Sequence, residues 1–161
     1  MNPLIHPTAI IDNITRLDLS LTSFIGPNCF ISAGEGRIVI GDSSGLTSNV
    51  SLFGHFGIYI GHYVMIAPNV VIATGNHNYK QTIKPMSTCL SDESLSDRGI
   101  HDGFNIYIGN DVWIGANSVI TDGVKIGNGV VIGAGSIITK SINEFDIVFG
   151  NPPKVIGNRR A

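Results

Sequence analysis

Five histidines hold most of the chemistry that the side chains of this 161-residue sequence can offer: His6, His55, His62, His77 and His101. A neutral imidazole can accept a proton from a weakly acidic hydroxyl and pass it on near pH 7. Three imidazoles brought together would instead hold zinc. His55, His62 and His77 are the trio to weigh for that, with spacings of 7 and 15. The two cysteines, Cys29 and Cys89, lie 60 apart, show no metal or redox spacing, and read as isolated reduced thiols. His77 stands out by its position. It follows IAPNVVIATGN, where a regular pattern stops and a long irregular segment begins. Segments of that kind, carried on rigid scaffolds, often bear function. A corner histidine can also be a turn residue bonded to a backbone carbonyl. His6 and His62 read that way. His101 lies in the irregular segment, where it could touch a substrate.

The elements that would position these residues follow a period of six. In the run 106–140 an aliphatic residue returns at Ile108, Ile114, Ile120, Ile126, Ile132 and Ile138. Glycine follows four of them, at Gly109, Gly115, Gly127 and Gly133. A period of six fits neither a helix nor a two-sided strand; it fits short straight faces joined by corners. The earlier chain repeats it in blocks of three: Ile5, Ile11, Leu17; Leu19, Ile25, Ile31; Ile40, Leu46, Leu52; Ile60, Ile66, Ile72. Three faces make one triangular turn. The expectation is a parallel β coil of about six turns, four before residue 73 and two after residue 106. Glycine, Asn and Asp after each aliphatic residue would supply the corners. Residues 73–105 would be an extruded loop, and residues 141–161 a cap over the last turn. One domain then spans residues 1–161.

Composition narrows the function. Charged residues are only 14% against 43% hydrophobic, which argues against disorder and for surface buried against partners. A net charge of −2 gives no reason to expect nucleic acid. The start MNPLIHPTAIID lacks the basic and apolar regions of a signal peptide, and no apolar run approaches a membrane helix. A cytoplasmic location is expected.

The Ile-Gly hexads, the stretch NDVWIGANSVI, the run GAGSIITK and the late GNPPKVI together resemble the hexapeptide-repeat acyltransferases. The resemblance covers residues 20–157. It points to the sugar O-acetyltransferases of the maltose, galactoside and polysaccharide-modifying branch. It implies an all-β, left-handed parallel β-helix, a homotrimer, and acetyl-CoA bound between subunits. Galactoside-type enzymes place a catalytic histidine after a similar hexad and a short Thr-Gly stretch. Ile60-Gly61, Ala67-Pro68-Asn69 and Thr74-Gly75 keep that register, so the resemblance makes His77 the general base. Thr47 and Asn49 occupy the register of an acceptor-side Asn, with a plain corner Asn as the alternative. His55 stands where those enzymes carry an acceptor-binding Asp. An imidazole cannot accept bonds from two sugar hydroxyls as a carboxylate does. That departure, with the short N-terminal extension, favours a polysaccharide or lipopolysaccharide precursor over a simple galactoside or maltose. For acetyl-CoA the matching positions are Gly115-Ala116, Gly133-Ala134 and Thr139-Lys140, where small residues would let the pantetheine arm lie close to the backbone. Trp113 would pack at an interface or form a pantetheine wall. Lys140, Lys154, Arg159 and Arg160 could meet the nucleotide phosphates.

Two kinds of alternative stand beside this reading. An amino-sugar N-acetyltransferase, or a serine or antibiotic acetyltransferase, would use the same coil on another acceptor. The γ-type carbonic anhydrases share the architecture but need three zinc histidines, including a pair five apart that this chain lacks. A non-catalytic β-helix would bind no acetyl-CoA.

Overall fold

The computed structural model describes residues 4–75, 83, 85 and 101–161. The strands fall into three sheets, the three faces of a triangular solenoid of about six turns. The first face stacks Leu4–Ile5, Phe24–Ile25, Gly45–Leu46, Met65–Ile66, Trp113–Ile114, Val131–Ile132 and Asp146–Phe149 in parallel. The second stacks Ile10–Asp12, Phe30–Ser32, Ser51–Phe53, Val71–Ala73, Val119–Ile120 and Ile137–Ile138. The third stacks Leu17–Leu19, Ile38–Ile40, Ile58–Ile60, Ile106–Ile108 and Lys125–Ile126.

The aliphatic residues of the six-residue period all point inward and sit in register. Ile25, Leu46, Ile66, Ile114 and Ile132 form one fully buried column; Ile31, Leu52, Ile72, Ile120 and Ile138 form a second. Each residue packs on its equivalents in the turns above and below, so the repeat in sequence is a repeat in space. Burying a side chain of this size contributes roughly 1.5–3 kcal/mol. The columns are therefore the main source of the fold's stability.

Two features differ from the expected layout. The third face is wider than a hexad. Its first four strands turn both end residues inward, with Leu19 only partly buried, so Leu17 stacks on Ile38, Ile58 and Ile106 while Leu19 stacks on Ile40, Ile60 and Ile108. Leu17 and Leu19 therefore share one face of one turn; they do not close one block and open the next. The division into four turns and two is corrected for the same reason. The fourth turn is incomplete at Ile72, and its third face is Ile106–Ile108, paired to Ile58–Ile60. The excursion thus leaves from inside a turn, and Ala73 still belongs to its strand.

The hexad glycines also work differently from expectation. Gly41, Gly61, Gly109, Gly115, Gly127 and Gly133 are not the positive-φ residues. A Cβ on Gly61 would meet Asn110 Oδ1 at 2.4 Å, and one on Gly109 would meet Asn128 Oδ1 at 2.6 Å. These glycines let adjacent turns approach at the corner. The positive φ comes two residues later, at Ser43, Tyr63, Asp111, Asn117, Gly129 and Gly135.

At the far end, Asp146–Phe149 turns back through a cis Asn151–Pro152 bond into Lys154–Asn158, which pairs antiparallel with it. This hairpin covers the last turn. Among the described residues no helix is long and apolar enough to cross a membrane.

Candidate functional site

The first corner, between the first and second faces, repeats a small residue followed by a left-handed one: Pro27-Asn28, Ser48-Asn49, Pro68-Asn69, Ala116-Asn117, Ala134-Gly135. Asn tolerates positive φ better than most residues with a side chain. Here the side chains also join across turns. Asn49 Nδ2 donates to Asn69 Oδ1, and Asn69 Nδ2 donates to Asn117 Oδ1, each at 3.2 Å. Asn49 is therefore a corner residue in an amide ladder. Asn69→Gly should leave stability within about 1 kcal/mol of the parent, and Asn69→Ala should lose more, because alanine forfeits both the ladder and the easy left-handed backbone. Thermal denaturation of the two variants checks the order.

This same corner gathers two groups of sequence candidates. Thr47 and Asn49 lie near its upper end, and Gly115-Ala116 and Gly133-Ala134 lie lower down. Thr47 Oγ1 donates to the Ile66 carbonyl at 2.9 Å and borders an apolar cavity of about 530 Å³ shared with Leu4, Phe24, Pro27 and Ser48. The space beside Gly115 is filled by the backbone of Ala134, and that beside Gly133 by the Phe149 ring. Any close approach to a ligand there falls to Ala116 and Ala134, which are partly and well exposed. Trp113 points outward on the first face, 52% exposed, in line with Met65 and Val131.

The second corner, between the second and third faces, is where the excursion departs and returns. Its departure is pinned at Thr74, which is buried. Thr74 Oγ1 accepts the Phe56 N–H at 3.0 Å and donates to the Phe53 carbonyl at 3.0 Å. Its return is a tight turn, His101–Phe104, with both central residues at positive φ (Asp102 +51°, Gly103 +85°). His101 and Phe104 exchange two backbone bonds of 2.8 and 2.9 Å. Beneath it, buried Asn105 donates to Asp122 at 3.1 Å. His55 and Phe56 lie between the two ends, ring edge to ring face with centroids 4.6 Å apart. Gly75 abuts the Phe56 ring and Gly57 abuts Phe104. His77 lies outside the described residues, two positions past Gly75, as does Cys89. Thr139 and Lys140 follow the second face in the last turn and line a cavity of about 260 Å³ with Ser141, Asp146, Pro152 and Val155.

The third corner is held by hydrogen bonds from one turn to the next. Asp42 N–H donates to His62 Nδ1 at 2.9 Å, His62 N–H to Asn110 Oδ1 at 2.8 Å, and Asn110 N–H to Asn128 Oδ1 at 2.8 Å. His62 thus does the work of a corner Asn. Asp42 is held below the ordinary carboxylate range, chiefly by the Ser20 hydroxyl and also by His62. Arg159 ends here too. Its Nη1 reaches the Asp111 carboxylate at 3.0 Å, the Asp111 carbonyl at 3.2 Å and the Gly129 carbonyl at 2.9 Å. That clamp ties the C-terminal segment to the corner, and Arg160 lies over the Phe145 ring. Lys140 and Lys154 remain exposed. His6 is bonded to Thr8 in the first turn. Among the described residues no three His, Cys, Asp or Glu lie close enough to hold a metal, and His55 and His62 sit on different corners.

Sequence reasoning missed the His101–Phe104 turn and the Asn105–Asp122 pair. The Asp102-Gly103 dipeptide was the available signal for the first, since Asp-Gly favours this turn. Nothing local marks the second.

Residues 105–140 match the family described as bacterial transferase hexapeptide (six repeats). The chain is a hexapeptide-repeat protein. This hexapeptide-repeat chain is 35% identical over 136 residues to the galactoside O-acetyltransferase of Lactococcus lactis, covering 81% of the chain and 60% of that relative. To the galactoside O-acetyltransferase of Escherichia coli it is 34% identical over 134 residues, covering 83% and 60%. It therefore spans about three-fifths of the length of these curated relatives. Its fold is shared with AntD, an N-acyltransferase from Bacillus cereus solved with dTDP and 3-hydroxybutyryl-CoA (TM-score 0.77, 24% identity, 98% of the chain and 80% of AntD). It is shared also with a hexapeptide-repeat acetyltransferase of Vibrio cholerae solved with acetyl-CoA (TM-score 0.57, 23% identity, 97% and 70%).

Proposed function

We propose that the chain is an acetyl-CoA-dependent O-acetyltransferase acting on a sugar hydroxyl, with His77 as general base. The observation that carries this is the match of four-fifths of the chain to two galactoside O-acetyltransferases. The Thr74-Gly75 departure point adds a rigid frame for a histidine two residues further on. The His77 imidazole takes the proton of the acceptor hydroxyl as its oxygen attacks the thioester carbonyl. The C–S bond then breaks, and the proton passes to the CoA sulfur. An acetyl ester and CoA leave, with no covalent acyl-enzyme. The acceptor is a polysaccharide or lipopolysaccharide precursor, the reading that His55 in place of an acidic residue favours.

The candidate residues divide between two corners of the triangle. Thr47, Asn49, Ala116 and Ala134 line the first; His55, the Gly75 departure point, Thr139 and Lys140 line the second. A whole face separates the two sets within one chain. A homotrimer with the first corner of one subunit against the second corner of its neighbour brings them together. Exposed Leu4, Phe24, Met65 and Trp113, in one row of the first face, supply apolar surface for such assembly. The whole is one domain acting in the cytoplasm.

The decisive experiment incubates the protein with acetyl-CoA and a panel of glycosides and amino sugars and follows thiol release. No release with any acceptor sinks the reading, and a monomeric mass in solution sinks the trimer. Lys140 and Arg159 separate by role. Lys140→Ala should raise the KM for acetyl-CoA about fivefold, through a lost phosphate contact. Arg159→Ala should leave that KM unchanged and lower stability by about 0.5–1 kcal/mol, as for an exposed ion pair.

A further inference from the structure

The asparagine ladder of the first corner is polarised and open at one end. Asn49 Nδ2 donates to Asn69 Oδ1, and Asn69 Nδ2 donates to Asn117 Oδ1, so the donors all run toward the C-terminal turns. A primary amide carries two N–H donors. One N–H of Asn69 and both of Asn117 therefore have no partner in the chain. Both side chains are exposed. Amides bonded head to tail polarise one another, which makes the unused donors stronger than those of a lone asparagine. The next rung does not continue the ladder. Its left-handed position is Gly135, and nothing lies within 4 Å of where a Cβ would stand there. Ala116 and Ala134, just before Asn117 and Gly135, carry only a methyl group each.

The free donors repeat with the pitch of the coil, about 4.8 Å from one turn to the next. A ligand that satisfies two of them needs two acceptors at that spacing, both on one side. The β-alanine unit in the pantetheine arm of coenzyme A has this form. Its two amide carbonyl carbons are four bonds apart, about 5 Å in an extended chain of ordinary bond lengths. Because that number is even, both carbonyl oxygens then lie on the same side. An extended peptide of α-amino acids fails on both counts, since its successive carbonyls are three bonds apart and alternate in direction.

We propose that Asn69 and Asn117 form a rail for the pantetheine arm of acetyl-CoA, their free N–H groups donating to its two amide carbonyls. This rests on the acetyl-CoA-dependent reading of the chain. The arm runs along the coil axis, and the open rung at Gly135 lets it continue past the end of the ladder. The two amides hold the acetyl donor and take no part in proton transfer.

The test uses the full-length protein labelled with ¹⁵N, with the side-chain NH₂ signals assigned from Asn69→Gly and Asn117→Gly. Coenzyme A and adenosine 3′,5′-bisphosphate, which lacks the arm, are titrated in separately. A shift of both NH₂ pairs with coenzyme A, and of neither with adenosine 3′,5′-bisphosphate, is the expected result. By calorimetry, Asn117→Gly should weaken coenzyme A binding about tenfold. Asn117→Asp, which keeps the shape and loses the donors, should weaken it at least as much. Coenzyme A that binds the parent without shifting the two amides overturns the proposal and leaves the transferase reading standing. So does an equal shift with adenosine 3′,5′-bisphosphate, or an unchanged Kd in both Asn117 variants. A lower mass in solution for Asn117→Gly places a second copy of the chain on the rail and also overturns it. Failure of the parent to bind coenzyme A overturns this proposal and the acetyl-CoA reading together. Thermal denaturation separates binding from folding, since a purely structural role would move the melting temperature and leave the Kd in place.

Discussion

His77→Ala should lower acetyl transfer by about 10²–10⁴-fold while acetyl-CoA binding and the melting temperature stay near those of the parent. The size follows from the reaction. A sugar hydroxyl is too weakly acidic to attack a thioester unaided at neutral pH, so removing the base removes the means of making it nucleophilic. The insensitivity of the fold follows from where the residue sits. The aliphatic columns of all three faces are complete without the excursion, and its departure is pinned by Thr74, which the substitution leaves alone. Thiol release from acetyl-CoA with a competent glycoside measures the first quantity; equilibrium dialysis with acetyl-CoA and a thermal melt measure the others. Full turnover in the variant would remove His77 from the mechanism.

The largest effect on folding is expected from adding one methyl group, in Gly26→Ala. A Cβ at Gly26 would lie 1.9 Å from the Thr47 carbonyl oxygen and 2.6 Å from its carbon. Both are backbone atoms. The Leu46–Thr47 peptide just before that carbonyl is held above and below, because Gly26 N–H donates to the Leu46 carbonyl at 2.8 Å and Thr47 N–H to the Ile66 carbonyl at 3.0 Å. Neither turn can move aside without opening the first face. Overpacking usually costs 1–3 kcal/mol, and a backbone clash of this depth should reach about 3 kcal/mol or more. Denaturant unfolding reads it directly. A loss below about 1 kcal/mol would mean that the turns are not stacked as closely as described.

These two residues also show what the sequence makes legible. The buried columns were readable because each member recurs at one spacing, and a side chain's inward direction follows from that spacing alone. The two-residue slip between Leu17 and Leu19 was visible, but its cause was not: a strand that buries both ends differs from a shifted block only once its partners at Ile38 and Ile40 are known. Gly26 and its equivalents announced corners, yet their reason lies in the next turn, some twenty residues away. Arg159 is the extreme case. Its acceptors on Asp111 and Gly129 are 48 and 30 positions distant, so nothing near the C-terminus separates it from a phosphate-binding arginine. For the candidate site, the departure point after Gly75 was readable because the period stops there. The division of Thr47 and Asn49 from His55 and Lys140 between two corners was not, since it depends on which face each hexad occupies.

The excursion between Gly75 and His101 begins and ends within a single turn, at a corner that the preceding turn closes with only Gly54-His55-Phe56-Gly57. The two versions of that corner deliver the chain to neighbouring rungs of the third face, Ile58–Ile60 and Ile106–Ile108, in direct register. Lengthening a loop whose ends are already fixed is a weak thermodynamic burden, about 0.6 kcal/mol for each doubling. The scaffold and the segment it extrudes are therefore free to change at different rates. Every rung of the coil is answerable to the rungs on either side, whereas the excursion leaves the coil at Thr74 and rejoins it at Asn105. Between those two ends the sequence can change while the stacked columns remain untouched.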